Sequence, residues 1–111
     1  MPNIYHGELE SYFASVITRW GDRTRQIVIV AENATVYLWF YAGSGPLPGN
    51  TSPVIGGQQH LYINMYADDY LSVIDLLRNE KPLRYFYRDD SKLFYISTRD
   101  EPIGEHELSQ Q

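Results

Sequence analysis

The chain of 111 residues contains no cysteine. That excludes a disulfide framework, a thiolate metal centre and a cysteine nucleophile, and it suits a reducing compartment. Long apolar runs are missing as well: nothing approaches the ~18 consecutive apolar residues of a membrane-spanning helix. No apolar stretch of signal-peptide length follows Met1-Pro2-Asn3. A cytoplasmic protein is therefore the default expectation, although a mature secreted form would read the same way. The three histidines, His6, His60 and His106, stand far apart and show no metal-ligand spacing; Glu105-His106-Glu107 reads as polar tail. Gly56-Gly57 lacks the lysine of a phosphate loop, and there is no Gly-x-Ser-x-Gly elbow. Asp68-Asp69 and Asp89-Asp90 are paired carboxylates, but adjacent residues in a helix start and a turn need not converge on a substrate. No catalytic residue, metal site or cofactor is expected. The chain reads as a binding or assembly module.

What is present is aromatic. Ten tyrosines accompany four phenylalanines and two tryptophans. Tyrosine favours strands and interfaces, where its ring packs while its hydroxyl stays wet. The length gives one domain, 1–111, and the balance of 43% hydrophobic and 21% charged residues is that of a globular protein. Net charge is −5. The bases cluster as Arg19, Arg23 and Arg25, then Arg78, Lys81, Arg84, Arg88 and Lys92, and residues 100–111 form an acidic tail.

Residues 8–20 suit a long curved strand, and Gly21-Asp22 a turn. Residues 26–30 and 35–41 form a β-branched and an aromatic run joined by Ala31-Glu32-Asn33-Ala34, a hairpin in which Asn would supply the left-handed turn conformation. Residues 43–57 form a long Gly/Pro loop, and 60–66 a further strand. Tyr70, Val73, Ile74 and Leu77 make an i, i+3, i+4, i+7 stripe, predicting a helix over 68–79 that Asp68-Asp69 open and Asn79 with Pro82 close. Residues 83–87 and 93–97 close the chain as a second hairpin. The class is thus β-rich, a barrel with one helix. Several strands, a helix and two strands is the order of an oligonucleotide/oligosaccharide-binding barrel, the OB-fold.

This layout resembles the OB-fold B subunits of cholera-type bacterial toxins. The resemblance runs over about residues 8–98. It is carried by the Glu10-Ser11-Tyr12 strand, the 27–30 and 35–40 hairpin with Asn33-Ala34-Thr35 at its turn, the Gly43-Ser44-Gly45 loop, the helix and the closing hairpin. It implies a ring of subunits and a glycan site at Tyr87, Arg88, Asp89 and Asp90, with Gln58, Gln59 and His60 from the loop before the helix. The chain departs from the family in lacking its cysteine pair and an export signal, in a shorter helix, a longer Gly/Pro loop, and Tyr87 where the toxins carry tryptophan.

Two further surfaces are candidates. Arg19, Trp20, Arg23 and Arg25 combine bases with a stacking ring, as single-stranded nucleic-acid binders do. Three arginines less Asp22 leave that segment only modestly positive, so nucleic acid is the disfavoured alternative. Leu71 and Leu76 lie off the helix stripe, and Tyr85 and Tyr95 belong to a hairpin aromatic on both faces. They are expected in the interface of a homo-oligomer, a ring or a two-fold dimer. The expected ligand of the module is a glycan or a protein.

Overall fold

A computed structural model describes residues 3–98. The acidic tail, Glu105-His106-Glu107 and Met1-Pro2 lie outside the described residues. The strands are β1 (Ile4–Val16), β2 (Arg23–Ala31), β3 (Thr35–Tyr41), β4 (Val54–Ile55), β5 (Gln58–Tyr66), β6 (Leu83–Arg88) and β7 (Phe94–Thr98), with helix α1 (Tyr70–Asn79) between β5 and β6. They form one curled sheet, a half-barrel, in the order β4-β5-β3-β2-β1-β6-β7. Every pairing is antiparallel except that of β3 with β5. The β-rich, one-helix class read from the sequence is the one observed.

Period-two alternation decides which side each residue faces. In β3, Val36, Leu38 and Phe40 are buried while Thr35, Tyr37, Trp39 and Tyr41 stay half-exposed. In β6 the buried set is Leu83, Tyr85 and Tyr87. With Ile27, Ile29, Leu61 and Ile63 these side chains form a core on the inner face. Each such aliphatic or aromatic burial contributes about 1.5–3 kcal/mol. The helix packs on this core through Tyr70, Val73, Ile74 and Leu77, the predicted stripe. Leu76 is half-buried, and Leu71 is 73% exposed.

Three local readings are corrected. Asp68 and Asp69 lie in a 3-10 turn, Ala67–Asp69, ahead of the helix, and no side chain caps either start. Within the Gly/Pro segment, β4 and β5 form a hairpin whose two-residue turn is Gly56-Gly57, both at positive φ (58° and 79°) as a type I′ turn needs. Asn33 is not in the left-handed region; only Arg19 and Lys92 are, among the described non-glycine residues. It acts through its side chain, donating to the His6 carbonyl at 2.7 Å and accepting from the Tyr85 hydroxyl at 2.7 Å. The approach is so close that a Cβ on Gly7 would lie 2.5 Å from Asn33 Oδ1.

Candidate functional site: the outer face of the sheet

The residues that alternate with the core project from the outer face, and the strand register arranges them in rows. Ser11, Val30, Thr35 and His60 form one row; Phe13, Val28, Tyr37 and Tyr62 the next; Ser15, Gln26, Trp39 and Asn64 the third. These rows hold no carboxylate, lysine or arginine. Phe13 is 57% exposed and Val30 39%, while Val28, beneath the rings, is buried.

Strands lie about 4.8 Å apart, so large rings on neighbouring strands meet face against face. Tyr62 stacks on Trp39 with centroids 4.9 Å apart and planes at 20°, and it meets Tyr37 at 5.0 Å. His60 stacks on Tyr37 at 5.8 Å. The set is a cross-strand ladder standing on the sheet, with ring faces turned to each other.

Arg23 continues the ladder. Its guanidinium carbon lies 3.8 Å from the Trp20 ring centroid and 3.9 Å from that of Trp39, in the wedge of two indoles inclined at 62°. Such cation–π contacts are worth about 0.5–2 kcal/mol each. Nη2 donates to the Tyr41 hydroxyl at 3.0 Å, and that hydroxyl donates to Asn64 Oδ1 at 2.8 Å. Nε is buried without a partner. The Trp39 indole N–H donates to Gln26 Oε1 at 2.8 Å. Trp20 is 48% exposed.

A polar clamp ties the Gly/Pro segment to this end of the sheet. Asn64 Nδ2 donates to the Gly49 carbonyl at 3.1 Å, its backbone N–H donates to Asn50 Oδ1 at 2.8 Å, and Asn50 Nδ2 donates to the Lys92 carbonyl at 3.1 Å. The Tyr66 hydroxyl donates to the Gly45 carbonyl at 2.9 Å. One short segment thereby bridges β5 and the β6–β7 turn.

The residues expected to hold a glycan do not form a common surface through the sheet. Gln58, Gln59 and His60 are on β5, Tyr87 and Arg88 on β6, with β3, β2 and β1 between. Tyr87 is wholly buried, so it offers no platform to a sugar; burial, then Asp89 and Tyr5, pushes its phenol pKa up. Arg88 is held by Asp90 in a two-pronged pair at 2.9 and 3.0 Å, which raises the Arg88 pKa and lowers that of Asp90. Asp89 exchanges hydrogen bonds with the Asn3 backbone. The Gln59 amide is spent on the carbonyls of Ser52, Pro53 and His60. His60 belongs to the ladder, and Gln58 is exposed beside the Gly56-Gly57 turn.

Of the basic set, Trp20 and Arg23 meet. Arg25 points the other way, its guanidinium carbon 4.5 Å from the Tyr70 ring, and Arg19 is exposed at φ 62°. Of the expected interface residues, Leu71 and Tyr95 are exposed, Leu76 is half-buried, and Tyr85 is in the core, where packing beneath the sheet removes it from any contact surface. The sequence reading missed Phe13, Tyr37, Trp39 and Tyr62 as one surface. The signal was there, since Tyr37, Trp39 and Tyr41 alternate with the buried positions of a single strand.

Among the described residues no cluster of His, Asp or Glu could hold a metal ion, and no helix is long and apolar enough to cross a membrane. No family profile, curated protein or solved structure matches the chain.

Proposed function

We propose that the chain is a non-enzymatic binding and assembly module whose outer sheet face docks a protein. The observation that supports this reading is the orientation of the rings. Stacking on a sugar or a base uses a free ring face, and the faces of Trp39, Tyr37 and Tyr62 are turned onto one another or onto Arg23 and His60. What is left are edges, hydroxyls and the exposed Phe13, Val30 and Trp20, and tyrosine, tryptophan and phenylalanine are enriched in protein interface cores. The three rows carry no charge to pair with phosphates, and the arginine at their end, Arg23, is already held between Trp20 and Trp39 and bonded to Tyr41.

The alternative, a single-strand binder on an OB-fold, draws on one observation: Trp20 sits half-exposed against Arg23. The toxin-like reading draws on the strand–helix–strand order and on self-association, for which the exposed Leu71, Leu93 and Tyr95 speak. Both tryptophans lie in the proposed face, so their fluorescence reports on it. Titration with neutral and acidic oligosaccharides and with short single-stranded oligonucleotides at physiological salt should leave the emission unchanged. Micromolar binding of an oligonucleotide, lost on Trp20→Ala, would favour the alternative.

A further inference from the structure

The two edges of the sheet are built differently. β4 has two residues and is preceded by Pro53, which cannot donate to a ladder. Short strands and proline are the devices by which proteins blunt an edge. β7 has five residues, Phe94-Tyr95-Ile96-Ser97-Thr98, and carries no proline, glycine or charge. Every one is aromatic, β-branched or serine, and no strand among the described residues lies beyond it. Its inner edge is taken by β6. Among the described residues no strand pairs with its outer edge, which is a template of N–H and C=O groups.

We propose that β7 pairs with β7 of a second copy, antiparallel about a two-fold axis at Ile96, joining two half-barrels into one continuous sheet. This rests on the self-association part of the proposed function and names its surface. The occupant follows from the edge itself. An antiparallel edge is self-complementary under a two-fold axis, so one copy supplies what the other needs. After pairing, the blunted β4 edges are the only sheet edges left among the described residues, so growth stops at two chains. The register follows from side chains. Phe94, Ile96 and Thr98 share the inner side with Tyr87, Tyr85 and Leu83, while Tyr95 and Ser97 face outward beside Phe86 and Arg84. An axis at Ile96 uses all five residues and sets Tyr95, 46% exposed and stacked on Phe86 at 5.0 Å, against the small Ser97 of the other copy. An axis at Tyr95 would drive two tyrosines together.

Opposed side chains in adjacent strands feel each other's charge, which gives a test by sedimentation velocity of three full-length proteins. Wild type is expected as a dimer at micromolar concentration. Tyr95→Lys with Ser97→Lys places like charges opposite at two symmetric positions and should raise the dimer dissociation constant by at least about tenfold. Tyr95→Lys with Ser97→Glu changes the same residues but pairs opposite charges across the axis, and should remain a dimer. Both variants lose the Phe86–Tyr95 stack, and residue 97 also stands opposite Arg84 of its own chain, so each must first show the wild-type fold by circular dichroism before the dissociation constants are compared. A monomeric wild type, a Lys/Lys variant that dimerises like wild type, or loss of the dimer in both variants would each overturn the proposal. Phe13→Asp, in the protein-docking face, should leave the dimer intact, which separates the failure of this edge from the failure of that face.

Discussion

The Trp39 and Tyr62 rings stack at a centroid distance of 4.9 Å and an angle of 20°, across the one parallel strand pair of the sheet. In register Tyr62 stands opposite Tyr37 and Trp39 opposite Asn64, so the two rings are diagonal neighbours that lean along the strands to stack. A double-mutant cycle, Trp39→Ala and Tyr62→Ala singly and together, should return a coupling of about 0.5–1.5 kcal/mol in urea unfolding. A coupling indistinguishable from zero would mean that the rings are neighbours and not a ladder.

Gly7, Asn33 and Tyr85 form the clamp that joins the β2–β3 turn to β1 and β6. Gly7→Ala forces Asn33 away from its two partners and should destabilise by about 1–3 kcal/mol, chiefly because the hydroxyl of buried Tyr85 loses its acceptor, Asn33 itself being exposed to water. Tyr85→Phe should fall in the same range with a smaller effect, because only the Asn33 oxygen loses its donor. Thermal unfolding of the two variants compares them directly. A Gly7→Ala protein that melts like wild type would show that the contact is loose.

Tyr85 also sets an alkaline limit. Burial first, and the Glu32 carboxylate second, push its phenol pKa up to about 12 from an ordinary value of 10. The folded state therefore holds this proton between pH 10 and 12 where the unfolded chain has released it. Its contribution is complete below pH 10 and is lost as pH rises toward 12, at up to about 1.4 kcal/mol per pH unit. Urea unfolding across that window should show the fall, reduced in Tyr85→Phe. An equal slope in both proteins would assign the alkaline loss to other groups.

Much of this architecture was legible in the sequence because its signals are local. The 3.6-residue stripe at Tyr70, Val73, Ile74 and Leu77 needs only the helix to be read, and α1 packs on the core by those four side chains. The β2–β3 hairpin and the closing hairpin follow in the same way. The outer face was not legible as a unit, since joining Phe13 to Tyr62 requires the order of four strands and the register of three pairings. The roles of Asn33 and Asn64 were hidden for the same reason: each side chain bonds a segment distant along the chain. Tyr87 misled because a tyrosine before a polar turn looks like a platform, while strand parity turns it inward.

The helix stripe gives a further prediction. Ile74 is half-buried against the core, so Ile74→Ala should cost about 2 kcal/mol, the lower end for aliphatic truncation. Leu71→Ala, at an exposed position of the same helix, should change stability by less than about 0.5 kcal/mol. Reversed magnitudes in urea unfolding would mean that the helix is rotated on the sheet.

The docking face is tested most directly by calorimetric titration of a protein that copurifies with the wild-type chain, itself purified, into wild type and into Phe13→Asp. Phe13 is exposed, so the substitution leaves the fold in place, while a carboxylate amid the neutral rows opposes any apolar contact. Saturable binding to wild type is expected, weakened at least about 30-fold by Phe13→Asp. Equal affinity for both proteins, each folded by circular dichroism, would contradict it.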